Sequence, residues 1–211
     1  MGKYDFLRYT LCGIDFISRK VLATLGMIRF YLICSIWGVD FRGLGQLVGS
    51  VVIRNTRKGR ICLGKSVCLQ ASFSANPIGQ NRPCLLDVRP GGMIEIGDGS
   101  GLTSTIISSR KKITIGKSSQ VGGGAIIIDH NFHSLDAKKR RDLGGDINPR
   151  EIFIGDDVFI GTNVIILKGT NIGSRSIIAA GSVVFGLNVP PDSMVAGNPA
   201  RIVGRSSEVK K

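Results

Sequence analysis

Both histidines of this chain, His130 and His133, fall inside one polar stretch, DHNFHSLDAKKRRDLGGDINPR, at positions 129–150. Imidazole is the side chain best suited to take a proton from a hydroxyl near neutral pH. A carboxylate beside it can hold the ring in one orientation, and Asp129 and Asp136 both stand near in sequence. Two histidines three apart do not supply the three imidazoles of a histidine-bound catalytic zinc, so no metal site is expected. The stretch is charged and broken by Gly144, Gly145 and Pro149, which marks a loop carried on a rigid scaffold. A passive scaffold needs neither histidine.

The scaffold is legible on the C-terminal side of that loop. From Ile154 to Val184 the chain reads IGDDVFIGTNVIILKGTNIGSRSIIAAGSVV, with an aliphatic residue at 154, 160, 166, 172, 178 and 184. Four residues after each of the first five stands a small or branched one: Val158, Val164, Thr170, Ser176 and Ser182. A helix buries positions three and four apart and an isolated strand every second residue, so neither explains a period of six. A fixed hexapeptide repeat marks a parallel β-helix. Three repeats make one triangular coil, and coils stack at about 4.8 Å. The aliphatic residue points inward, the small one fits the corner, and glycine is expected to supply backbone shapes closed to other residues. On the N-terminal side the register is visible at Leu63 and Leu69, at Ile96 and Leu102, and at Ile115, Val121 and Ile127. It breaks between Leu69 and Ile96, where Pro77, Pro83 and Pro90 imply irregular corners. From Leu102 to Ile115 is thirteen residues, so one corner carries an extra residue. From Ile127 to Ile154 is 27, which reads as a full coil of 18 plus nine residues pushed out of it.

This pattern resembles the hexapeptide-repeat acyltransferases, and within them the sugar and polysaccharide O-acetyltransferases. The resemblance implies an all-β, left-handed parallel β-helix, acetyl-CoA as acyl donor, and a homotrimer with its active sites between subunits. Asp129, Asn131, Phe132 and His133 match a D-x-D/N-F-H pattern of those enzymes, with Ser134 where proline is common. The resemblance therefore implies His133 as the general base. His130 reads first as an ordinary exposed histidine, with lining the acceptor site as the alternative. It implies acceptor contacts from Asp129, Asn131 and Ser104. Ser104 and Thr105 are also candidate donors to a tetrahedral oxyanion. For the cofactor it points to Thr162, Ala180, Phe185, Gly186 and Arg201. Many relatives carry Thr-Lys where this chain has Phe185-Gly186, so a cation is missing there, and Lys168 or Arg205 is expected to compensate. The closing AGNPARIVG resembles the segment that ends the β-helix in this family.

Residues 1–50 differ in kind and read as an amphipathic helical segment, ahead of a repeat domain over 51–205 and a tail over 206–211. Val21–Val39 is apolar but interrupted by Arg29, whose burial in a bilayer centre costs roughly 2.5–3.5 kcal/mol on insertion scales. No cleavage motif follows it. Two roles fit the segment: a helix lying on an anionic membrane surface, or a cap on the open end of the solenoid. The net charge of +13 favours anionic partners. Interleaved aromatics are lacking, so nucleic acid is not expected. The five cysteines form no CxxC pair and read as packing thiols in a reducing compartment, with Cys62 and Cys68 on successive faces of one coil. The expected location is the cytoplasm, including the inner face of its membrane. The expected reaction is O-acetylation of a sugar in a cell-surface polysaccharide or lipid-linked precursor. The alternatives are N-acylation of an amino sugar and a non-catalytic assembly platform.

Overall fold

A residue pointing inward every sixth position can be buried only if the chain turns a corner between each pair, and that is how it folds. The computed structural model describes residues 24–56, 58–72, 82–141 and 148–208. The expectations for residues 1–23 and 209–211 lie outside the described residues.

The chain winds as a three-faced prism in which each strand pairs in parallel with the strand three further on. The first face holds β1 (Asp40–Phe41), β4 (Arg60–Leu63), β7 (Met93–Ile96), β10 (Ile113–Ile115), β13 (Ile152–Ile154), β16 (Asn171–Ile172) and β19 (Asn188–Val189). The second holds β2 (Leu44–Gly49), β5 (Val67–Ala71), β8 (Gly101–Thr103), β11 (Gln120–Val121), β14 (Phe159–Ile160), β17 (Ile177–Ile178), β20 (Ser193–Gly197) and β21 (Ala200–Arg205). The third holds β3 (Val51–Asn55), β6 (Cys84–Val88), β9 (Ile106–Ser109), β12 (Ile126–Ile128), β15 (Ile165–Leu167) and β18 (Val183–Phe185). The solenoid is a left-handed parallel β-helix. β21 turns back antiparallel on β20 and closes its C-terminal end.

The core is a set of aliphatic ladders along the prism axis. Ile160, Ile166, Ile172 and Ile178 are all 0 % exposed, as the period of six requires. Each fully buried aliphatic side chain contributes about 1.5–3 kcal/mol by leaving water. Buried hydroxyls tie successive coils at the corner between the first and second faces. Ser100 Oγ donates to the Gly116 carbonyl at 2.7 Å, and Ser119 Oγ donates to the Gly155 carbonyl at 2.8 Å while accepting from Val158 N–H at 3.0 Å.

The glycines of this corner serve a purpose other than the one expected. The left-handed position is filled mostly by other residues: Ser66, Ser118, Asp157, Arg175 and Asp192 have φ between 54° and 61°. Gly97 and Gly155 are needed because the next coil lies directly on them. A Cβ at Gly97 would stand 2.6 Å from the Gly116 carbonyl carbon, and one at Gly155 2.6 Å from the Ser174 nitrogen.

Three expectations need correction. The solenoid starts at β1 and β2, ahead of the expected boundary at 51, because Phe41 and Leu47 already continue the ladders of Leu63 and Leu69. The loop after β12 does not complete a coil. Ile115 and Ile154 are direct neighbours 39 apart, where an unbroken coil takes 18, so 21 residues are inserted between one face and the next. Cys62 and Cys68 do lie on successive faces, but both are half-buried and point outward. The thiols that pack inward are Cys34 and Cys84, which burial pushes up to about 11 and so keeps protonated.

The N-terminal segment caps the solenoid. Residues 24–36 form α1, which lays Phe30 and Cys34 on the first coil beside Leu47 and Val51. Phe41 meets Phe30 and Tyr31 edge-on at 5.6 and 5.2 Å. Asn55 Nδ2 donates to the Trp37 carbonyl at 2.8 Å. No helix among the described residues is long and apolar enough to cross a membrane.

Candidate active site

The site is built where β12 leaves the third face. Asp129 follows that strand directly and is turned into the wall, 0 % exposed. Its carboxylate accepts from Ser109 Oγ at 2.7 Å and from the backbone N–H groups of Arg110 and Lys111 at 2.8 Å each. His130 Nδ1 lies 3.1 Å from Asp129 Oδ1. Burial pushes the Asp129 carboxyl up, but the bonds from His130, Ser109, Arg110 and Lys111 outweigh it and hold it below the usual carboxylate range. The thirteen residues from Leu102 to Ile115 do not place one extra residue in one corner: the step to Ile107 is five and the step on to Ile115 is eight, and this lengthened corner after β9 presents the two backbone N–H groups that grip Asp129.

His130 is thus held in the wall by an ionised carboxylate, with its ring edge-on to Phe132 at 4.9 Å. With Nδ1–H donating to Asp129, Nε2 is the basic nitrogen. That atom is buried and has no hydrogen-bond partner among the described residues, and the same holds for Nδ2 of the next residue, Asn131. Buried polar atoms without partners are rare and mark a place for a ligand or an ordered water.

His133 is in a different setting. It is exposed, two residues farther out on the loop than Asn131. The sequence favoured it over His130, and the structure sets the two apart: the chain leaves the coil at Asp129, so the first histidine stays in the wall and the second is carried outward. Asp136 does not orient a ring either. It caps α2 (Ala137–Arg141), accepting from Lys139 N–H at 2.9 Å. α2 itself presents Lys138, Lys139, Arg140 and Arg141, all exposed.

Asp129 also departs from its expected role in acceptor binding, because its oxygens are already committed to four donors inside the wall. Ser104 and Thr105 are 1 % and 0 % exposed and sit at the opposite end of β9 from Ser109, so within one chain they lie on a different edge from His130. Lys168 is 6 % exposed and donates Nζ to the Asn148 carbonyl at 2.9 Å, which anchors the returning loop and removes it as a free phosphate partner. Arg201 is exposed on β21, its Nη1 donating to the Ala200 carbonyl at 2.9 Å.

The remaining expected cofactor residues divide between two edges. Thr162 and Ala180 lie where the second face meets the third, stacked one coil apart, and Ala180 is exposed. Phe185 and Gly186 lie at the other end of the third face, on the edge that carries His130. A residue missed in the sequence joins them. Arg150 returns from the loop with its N–H on the Asp129 carbonyl at 2.8 Å, and its guanidinium sits 5.4 Å from the centre of the Phe185 ring. It supplies a cation beside Phe185-Gly186, where Thr-Lys was noted as absent. Only the fold could reveal this, since 35 residues separate Arg150 from Phe185. Small corner residues and exposed arginines of this kind fit a narrow pantetheine arm and its phosphates.

Residues 151–186 match the family described as Bacterial transferase hexapeptide (six repeats). A hexapeptide-repeat containing acetyltransferase of Vibrio cholerae O1 biovar eltor, solved in complex with acetyl coenzyme A, is 35 % identical with a TM-score of 0.54, over 67 % of this chain and 69 % of that one. The WbbJ protein of Escherichia coli strain K12, whose name assigns it provisionally as a lipopolysaccharide biosynthesis O-acetyl transferase, is 28 % identical over 97 % of this chain and 94 % of its own length. A 2,3,4,5-tetrahydropyridine-2,6-dicarboxylate N-acetyltransferase of Staphylococcus aureus strain bovine RF122 / ET3-1 is 37 % identical over 46 % of this chain, and the match spans only 35 % of that relative's length. The period of six, the three-faced parallel stack and the match to the Vibrio enzyme agree: the chain belongs to the hexapeptide-repeat acetyltransferase family.

Proposed function

We propose that this protein is an acetyl-CoA-dependent O-acetyltransferase acting on a sugar hydroxyl of a cell-surface polysaccharide or its lipid-linked precursor. The observation that carries the reading is the buried Asp129–His130 pair, with Nε2 left without a partner among the described residues. The donor supplies an acetyl group already activated as a thioester. His130 Nε2 accepts the proton of the acceptor hydroxyl as its oxygen attacks the thioester carbonyl, and Asp129 holds the ring and balances the charge it gains; the C–S bond then breaks, and the proton on Nε2 passes to the leaving thiolate to release free CoA and the acetyl ester. Asn131 Nδ2 donates to the acceptor sugar. Arg150, on Phe185, meets a phosphate of the donor. The name of the WbbJ relative supports a glycan acceptor.

The active unit in this reading is a homotrimer. Outward on the third face, Val52, Leu85, Ile106, Ile126, Ile165 and Val183 form one continuous aliphatic row. Such a row on a sheet is stable when a partner covers it. The two ends of this face hold the Thr162–Ala180 edge and the His130–Phe185 edge. Packing copies against it brings the first edge of one chain to the second edge of the next and completes the donor groove.

The reading is tested by acetyl transfer from acetyl-CoA to a panel of sugars with His130→Ala and His133→Ala. A fall of roughly 10²–10⁴-fold in kcat for His130→Ala, with acetyl-CoA binding retained, is expected. Near-parent turnover by that variant refutes it, and a large loss confined to His133→Ala moves the base to the loop. The Staphylococcus relative, an N-acetyltransferase by name, favours a second reading in which the acceptor atom is nitrogen; its named substrate is a dicarboxylate, so an amino sugar is the nitrogen counterpart of the sugar acceptor proposed here. Hydroxylamine separates the two, since it cleaves an ester product and spares an amide.

A further inference from the structure

α1 carries two apolar faces, and the fold uses only one. Phe30 and Cys34 are 2 % and 4 % exposed against the first coil, with Met27 packed beside them. Leu25, Ile28, Leu32 and Ile36 recur at helical spacing on the far side and are 57 %, 54 %, 60 % and 77 % exposed. At 100° per residue the stripe centred on Leu32 points roughly 160° away from Cys34. Capping therefore does not explain it. Tyr31 and Trp37 flank it, 51 % and 40 % exposed, with the amphipathic rings that favour the boundary between lipid and water.

The charge around this end decides what the stripe meets. Arg29, Arg42, Arg54, Lys58, Arg60 and Lys65 are all exposed on α1 and the first two coils. Asp40 is the one carboxylate among the described residues from 24 to 65. An apolar helix face in a collar of cations matches an anionic bilayer surface, with the aliphatic side chains among the acyl chains and the cations at the headgroups.

We propose that α1 is a membrane-docking surface for anionic lipid, holding the solenoid upright with its capped end on the bilayer. This surface is independent of acetyl transfer, and its test needs no substrate. Docked in this way, the Asp129–His130 pair stands on the fourth coil, three rungs of about 4.8 Å above the first.

Trp37 is the only tryptophan in the chain and reports on the unaltered protein. The full chain is mixed with vesicles of phosphatidylcholine alone or with about 30 % phosphatidylglycerol, and followed by flotation and tryptophan emission. The expected result is flotation with the anionic vesicles, a blue shift of Trp37, and weakening of both as salt rises. Ile28→Glu/Leu32→Glu is expected to lower partitioning at least ~10-fold with an unchanged thermal midpoint. Ile36→Ser, at the most exposed position, serves if the double variant does not fold, and is expected to lower partitioning several-fold. A parent that ignores anionic vesicles overturns the proposal, as do variants that float like the parent. A change of mass by light scattering in the double variant also overturns it, because the stripe is then a protein contact.

Discussion

Replacing Asp129 with asparagine isolates the group on which the site is built. Oδ1 accepts from Arg110 N–H and faces His130 Nδ1, while Oδ2 accepts from Ser109 Oγ and Lys111 N–H. An amide has one oxygen and one NH₂, so it can satisfy only one of these two pairs. If its oxygen takes the Oδ1 place, the Lys111 N–H faces another donor; if it takes the Oδ2 place, Arg110 N–H and His130 lose their acceptor. Either way one backbone N–H is left buried and unpaired, at about 1–3 kcal/mol, and the bonds that remain lose the strengthening of a full charge. Asp129→Asn should therefore destabilise the protein by roughly 2–5 kcal/mol at pH 7. The Asp129 carboxyl lies below its ordinary range, so its contribution is complete above the unfolded value near ~4 and fades as pH falls through the lower folded value. The gap between parent and variant should be widest at neutral pH and should close in acid. Urea unfolding followed by circular dichroism at pH 7 and at steps down to pH 3 measures both. Turnover should fall roughly 10²–10⁴-fold, because His130 loses the carboxylate that orients it and balances its proton. A gap under about 1 kcal/mol at pH 7, or one that stays constant into acid, would refute the account of this carboxylate.

Ile166→Asp places a charge in a ladder position that is 0 % exposed, and should cost several kcal/mol or prevent folding, read from soluble yield and thermal midpoint. Ile126→Arg/Ile165→Arg puts paired cations on the outward row of the third face and should convert a trimer to single chains of 22.6 kDa by light scattering; a parent already monomeric and active would refute the shared site. Arg150→Ala should raise KM for acetyl-CoA roughly 3- to 10-fold and change kcat less than about twofold, since an exposed cation contributes binding and not chemistry.

The corner lengths show how far the sequence reached. Between the first and second faces the step from one inward aliphatic to the next is always six: Leu63 to Leu69, Ile96 to Leu102, Ile115 to Val121, Ile154 to Ile160, Ile172 to Ile178, Val189 to Val195. The long departures, from Leu69 to Leu86 and from Ile127 to Ile154, both border the third face. A one-dimensional reading sees these only as lost register. It cannot tell a step to the next face from a full turn, which is why the loop length was misjudged.

The sequence alone determined the fold and the ladder residues, because a period of six has one structural explanation and burial follows it directly. It also located the stretch that contains both histidines. Tertiary structure decided which histidine has the carboxylate, since His130 and His133 are three apart on a segment with no period, and only the exit path of the chain after Ile128 separates wall from loop. It turned Asp129 into the wall beside His130, because its four partners come from Ser109, Arg110, Lys111 and His130, on the coil beneath it and on its own. It brought Arg150 to Phe185 and committed Lys168 to the Asn148 carbonyl, contacts between residues 35 and 20 apart that no local pattern encodes. Helical spacing and charge in the first fifty residues allowed a cap or a membrane helix. Packing showed that the cap takes only the Phe30–Cys34 face and leaves the Leu25–Ile36 stripe in solvent, because a helix laid across the end of a prism can bury only the side that touches it.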